Sequence, residues 1–142
     1  MIDDGSGRLR YGVRLLIKHP SIDPDLITKR LNLSPHVANP VGGPRKTPAG
    51  TLLSGVYDKS VWGYSVRVEG RKSFCEDMLK LIGSLEPHAN FLSEIVKTDG
   101  TIDVIVHLPG DVNIGDLIPW QVLARLVVLK ISFGIEVFPA FN

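Results

Sequence analysis

The chain has 142 residues, of which 44% are hydrophobic and 22% charged, with a formal net charge of +1. That suits one domain spanning 1–142 around one core, and it gives no long-range attraction to nucleic acid or an acidic membrane. The lone cysteine, Cys75, excludes a disulfide-framed secreted domain.

Met1 to Arg10 is polar and Gly-containing, without the apolar run of a signal peptide. The longest apolar stretch, Leu117 to Ile131, is broken by Pro119, Gln121, Arg125 and Lys130, too polar to span a bilayer. A cytoplasmic location follows as the expectation. From Leu9 to Lys18 residues alternate: Leu9, Tyr11, Val13, Leu15 and Ile17 share one face, and Arg10, Gly12, Arg14, Leu16 and Lys18 the other. A period of two predicts a strand with one buried face. A short helix follows, with Asp23 as N-cap and Pro24 at its first position. Leu26, Ile27, Arg30 and Leu31 form its stripe, and Ser34 and Pro35 end it.

His36 to Lys59 is rich in Pro, Gly and Ser and is expected as one long loop, functional or mobile. A second strand, Val61 to Val68, sets Trp62, Tyr64, Val66 and Val68 against Gly63, Ser65 and Arg67. Ser73 and Glu76 have the spacing of a capping box. The helix they open carries Phe74, Met78, Leu81, Ile82 and Leu85 until Pro87 interrupts it. A further helical piece, Asn90 to Thr98, is expected to close on Gly100. Thr101 to Leu108 reads as a strand, Asp116 to Lys130 as a helix, and Ile131 to Phe138 as a final strand with Ile131, Phe133, Ile135 and Val137 inward.

Strands apolar on one face only argue against a doubly wound parallel sheet. The expectation is α+β: a two-layer sandwich with a mostly antiparallel four- or five-stranded sheet and its helices on one face. The other face then collects Arg10, Gly12, Arg14, Lys18, Gly63, Arg67, Asp103, His107, Gly134 and Glu136. Its basic residues sit on the first two strands and its acidic ones on the last two, which reads most simply as cross-strand ion pairing; the sharper reading is an anion or nucleic-acid platform. A base-stacking platform would need outward aromatics, and only Phe138 points out. Nucleic acid is therefore not expected as a partner. Mid-strand glycines often mark close approach by other backbone. Gly12, Gly63 and Gly134, with Arg14 and Arg67, therefore mark a face on which the long loop, a second copy or a partner peptide packs.

His19, His36, His88 and His107 show no metal-ligand spacing, so no metal is expected. Arg45 and Lys46 follow Gly42, Gly43 and Pro44, but without P-loop spacing. Together with His36 they make at most a weak anion site. No dinucleotide fingerprint is present and no cofactor is expected. Cys75 near a helix N-terminus could be a nucleophile, although a small buried hydrophobe is the commoner case. Trp62 and Trp120 read as core or interface anchors.

The run from Ile22 to Pro35, IDPDLITKRLNLSP, the turn Gly43-Pro44-Arg45, the strand around Trp62 and the ending from Leu123 to Val137 resemble a bacterial family of small proteins. It is known as a domain of unknown function, number four-two-seven-nine. The resemblance covers most of the chain and implies a bacterial source and a single α+β domain. It brings no activity and no functional residue. The expected function is a non-enzymatic binding or interaction module, regulatory or immunity-like, with a homodimer or a protein partner in view. The alternatives are a small hydrolase or transferase using His36, Arg45, Lys46 and Asp58, or a small-anion sensor with its site in the segment 36–59.

Overall fold

The computed structural model describes residues 11–66, 73–110 and 113–138. Chain order is β1 (Gly12–His19), α1 (Pro24–Leu31), β2 (Val37–Asn39), β3 (Pro44–Lys46), β4 (Leu52–Val56), β5 (Ser60–Ser65), α2 (Phe74–Leu85), α3 (Ala89–Lys97), β6 (Thr101–Pro109), α4 (Trp120–Val128) and β7 (Ser132–Phe138). A single 3-10 turn, Glu86–His88, joins α2 to α3 where Pro87 was expected to interrupt. Five strands form one sheet in the order β2-β5-β1-β6-β7. All its pairings are antiparallel except β6 with β7. The fold is the expected α+β sandwich.

Strand β1 lies at the centre. Val13, Leu15 and Ile17 are buried with Ile102, Val104 and Val106 of β6 and Trp62 of β5. Over them pack Ile27 and Leu31 of α1, Met78, Ile82 and Leu85 of α2, Leu92 and Ile95 of α3, and Leu126 of α4. Polar groups that enter this layer are satisfied. Trp62 Nε1 donates to Thr28 Oγ1 at 2.9 Å. Ser60 Oγ donates to the Ile22 carbonyl at 2.6 Å and accepts from the Val41 amide. His19 Nδ1 accepts from the amides of Ser21 and Ile22. Its proton therefore sits on Nε2, which meets Thr98 Oγ1 at 2.7 Å.

The helix caps follow the sequence in part. Asp23 accepts from the Asp25 amide and Ser73 from the Glu76 amide. Helix α1 stops earlier than Ser34, because Asn32 takes a left-handed conformation (φ 55), which an asparagine adopts more readily than most residues. Only Ile27 and Leu31 of its expected stripe are buried, along with Pro24; Leu26 is exposed. At the end of α3 the left-handed residue is Asp99 (φ 74), and Gly100 is the next one on, its amide bonded to the Ile95 carbonyl.

Three sequence expectations change. The segment 36–59 is not one loop: it supplies β2, which pairs with β5, and the β3–β4 hairpin. Positive φ at Gly42, Gly50 and Gly55 lets so short a stretch turn repeatedly. Helix α4 begins at Trp120 rather than Asp116, since the residue before a proline is pushed out of the helical region. Asp116 instead accepts from the amide of Cys75. Finally, Ile135 and Val137 of β7, expected inward, are 59% and 62% exposed, because β7 is an edge strand that α4 covers only in part. Val68 and Arg67 lie outside the described residues.

Two glycines separate close approach from helix propensity. A Cβ at Gly100 would lie 2.7 Å from the Ile95 carbonyl oxygen and 2.9 Å from the His19 ring, whereas one at Gly83, exposed in α2, would meet nothing within 4 Å. Gly100→Ala should cost about 1–3 kcal/mol, as over-packing does, and Gly83→Ala should gain about 0.5–1 kcal/mol. Denaturant midpoints should move in opposite directions.

Candidate functional site

Because all four α-helices lie on one side of the sheet, its other face is free to build a site. Strand β1 presents Arg14 there, and β5 presents Gly63 and Ser65, Ser65 opposite Arg14 in the register. His36 immediately precedes β2. Its amide donates to the Gly63 carbonyl at 2.8 Å, which sets the imidazole down on Gly63. A Cβ on that glycine would lie 2.9 Å from His36 Cε1. Within the chain, other residues approach closely only at Gly63, where the covering group is the start of the 36–59 segment; at Gly12 and Gly134 a Cβ would find ordinary contacts at 3.8 and 3.6 Å.

The β3–β4 hairpin forms the opposite wall of a cleft of about 630 Å³. Arg14 and His36 line it from the sheet side, Asn39 from β2, and Lys46, Thr47 and Tyr57 from the hairpin. Among the described residues no carboxylate lines it. The hairpin is shaped by backbone bonds between Gly42, Gly43 and Tyr57, and by Thr47, whose carbonyl and side chain hold Gly50 and Thr51. Of the sequence-predicted anion residues, His36 and Lys46 converge. Arg45 does not: it points along the hairpin, its guanidinium 3.4 Å from the Ser54 carbonyl. Asp58 is not in the cleft lining either. Arg14 was expected on a packing face, with an anion platform as the sharper reading of that face, and not as part of the anion site with His36 and Lys46. It proves to be the central cation, and its Nε is buried without a hydrogen-bond partner among the described residues.

The electrostatics agree with the geometry. Desolvation first, and then the Arg14 charge, hold His36 below its ordinary 6.5. His107 on β6 is lowered by the same two causes in the same order, partly offset by Glu136. His107 Nδ1 lies 3.0 Å from Glu136 Oε2, and its ring stacks on Phe138 at 5.4 Å. This contact joins β6 to β7; no ion pair between the basic residues of β1 or β5 and the acidic ones of β6 or β7 is seen among the described residues.

A nucleophile relay is incomplete. Ser65 Oγ and His36 Nδ1 are 3.3 Å apart, but among the described residues no acid lines the cleft to orient the ring. Cys75 is buried. Burial first, then the carboxylates of Asp116 and Glu76, push its thiol up, against a nucleophilic role. A smaller notch of about 230 Å³, between Leu33, Tyr64 and Leu81, offers an apolar lining with Lys80 at its rim. Among the described residues no group of His, Cys, Asp and Glu could hold a metal ion, and no helix is long and apolar enough to cross a membrane.

A family model described as "Domain of unknown function (DUF4279)" matches residues 9–137. The chain belongs to this family. No curated protein and no solved structure matches it. In this DUF4279 domain the matched stretch includes every residue of the cleft.

Both imidazoles are lowered, so as the pH falls below 6.5 the unfolded chain takes up protons before the folded one. Their contribution to stability is full above 6.5 and declines as the pH drops through the folded values. Replacing Arg14 by Gln removes a shared cause. The NMR titration midpoints of His36 and His107 should both rise, and the loss of stability in mild acid should shrink.

Proposed function

We propose that this protein is a non-enzymatic binding module whose cleft, between the open sheet face and the β3–β4 hairpin, takes a small anionic ligand such as a phosphate ester or a carboxylate. The observation that carries the reading is Arg14: a half-buried guanidinium with an unsatisfied Nε, lining the same cleft as Lys46 and His36, with no carboxylate among the described lining residues. A buried cation without a counter-charge is costly, and an anion offsets that cost. Arginine suits the role because its planar fork of donors matches both carboxylate and phosphate oxygens. Thr47, Asn39 and Tyr57 add neutral hydrogen-bonding groups that can orient a ligand. Lys46 sits on the hairpin and Arg14 on the sheet, so an anion held by both would draw the two walls together. Regulation through a bound metabolite fits this arrangement better than catalysis, since the Ser65–His36 pair lacks its third member.

The test is a thermal-shift series with inorganic phosphate, phosphoserine and citrate. A ligand at about a hundred times its Kd adds about 2.7 kcal/mol and should raise Tm by several degrees. Arg14→Gln should abolish the shift and Lys46→Gln should weaken it, while Lys97→Gln on the helical side should leave it intact. A shift of the same size in Arg14→Gln would contradict the reading, as would no shift with any of the three.

The pH dependence has a fixed sign. An anion offsets the Arg14 charge that lowers His36 and attracts the protonated ring directly, so it raises the His36 pKa, and binding takes up a proton. Affinity should increase from pH 8 to pH 6. Calorimetry at pH 6 in two buffers of different ionisation enthalpy should show the uptake, and His36→Ala should remove it.

A further inference from the structure

Away from the cleft, the far edge of the sheet is unguarded. Strand β7 pairs only with β6, and among the described residues its outer edge has no partner. It is seven residues long with one charge, Glu136, whereas the opposite edge strand, β2, has three residues. Natural sheets blunt long edges with lysine, proline or a bulge, and β7 has none of these.

Helix α4 adds an apolar stripe on the same side. Val122, Leu126 and Leu129 face the core, and Arg125 turns to Glu86, its Nη2 2.6 Å from Oε1. At about 100° per residue, Trp120, Leu123 and Val127 fall on the flank opposite Arg125. Helix α2 packs on β1 and meets α4 from that inner side, so the opposite flank overhangs the β7 edge. Trp120 and Val127 are 74% and 73% exposed, and Ile135 and Val137 are exposed beside them in the helical layer.

We propose that two copies of this chain associate about a twofold axis along β7, the strand edges pairing antiparallel into one continuous sheet and the α4 stripes packing on one another. Three features select a second copy as the occupant. The two surfaces, strand edge and helix stripe, are each self-complementary, as an isologous interface requires. The five apolar residues expose on the order of 600 Å² per copy, so a pair that covered them fully would bury at most about 1,200 Å², at the lower end of specific interfaces. Charge also permits it: a register centred on Ile135 sets Glu136 opposite Gly134 and Phe133 opposite Val137, so the two carboxylates do not face each other and apolar residues do. This interface runs along the sheet edge and not over the open face marked by Gly12, Gly63 and Arg14, although Gly134 belongs to its strand, and it does not depend on the anion reading.

The test is the solution mass of the full chain by sedimentation equilibrium from 1 to 500 µM, roughly the range over which weak and stable interfaces separate. The wild type should show twice the monomer mass of 15.6 kDa. Val127→Glu and Val137→Lys replace side chains exposed in the single chain, so each should fold with a native circular-dichroism spectrum and weaken association at least about a hundredfold, as loss of a central contact does. Arg14→Gln should remain dimeric. A monomeric wild type at the highest concentration would overturn the proposal. So would folded Val127→Glu and Val137→Lys variants that both dimerise like the wild type.

Discussion

The structure depends on the two-sidedness of β1. Val13, Leu15 and Ile17 bury completely or nearly so under the helices, while Arg14, one residue out of phase, cannot join them. A single-residue slip would exchange the faces, driving Arg14 into the core. The burial of three large aliphatics, each worth about 1.5–3 kcal/mol, fixes the register against both β5 and β6. It also fixes where the arginine emerges. The basic cleft is therefore a consequence of how the core packs. Its central cation is held by the central strand of the sheet.

Buried polar groups pin the ends of that strand. At one end the Tyr11 hydroxyl donates to the Asp77 carboxylate in the first turn of α2, and burial together with Asp77 pushes the phenol up. At the other end His19 caps the turn into α1 and reaches Thr98 at the end of α3. Each contact joins β1 to a helix distant in sequence. Each would be expensive to leave unmade, since an unsatisfied buried group costs about 1–3 kcal/mol. Such groups contribute less to net stability than the aliphatic core does, but they specify which helix covers which end of the sheet.

Much of this was legible from periodicity. The alternation of β1 and β6, the caps at Asp23 and Ser73, and the break at Pro87 are local signals, and local physics decided them. What escaped was decided between distant segments. Strands β2, β3 and β4 carry Pro, Gly and Asn at high density, and they exist because β5 and the hairpin turns offer hydrogen-bond partners, not because of propensity. Arg14 appeared as one of many outward cations; nothing in sequence shows that its neighbours would be His36 and Lys46. Gly63 was singled out for close approach, and the group that approaches is His36, 27 positions earlier by register with β2. The inward assignment of Ile135 and Val137 failed for a related reason. Alternation tells which way a side chain points, but not whether a helix is wide enough to cover it.

The two surfaces left open by the core share one strand. On its helical side β7 carries Ile135 and Val137; on its open side it carries Glu136 and Phe138, which hold His107 by charge and by stacking. His107 in turn feels Arg14. A strand held on both edges moves less than one held on a single edge, so pairing β7 with a second copy would steady Glu136 and Phe138 against His107. An anion at Arg14 reduces the charge that disfavours protonated His107, which strengthens the pair with Glu136 from the other direction. Any coupling that results must be mutual: if the anion favours the paired form of β7, the paired form binds the anion more tightly by the same factor. If both surfaces are occupied, His107 is the residue through which edge and cleft would be linked, by its contacts with Glu136 and Phe138 and by the charge of Arg14.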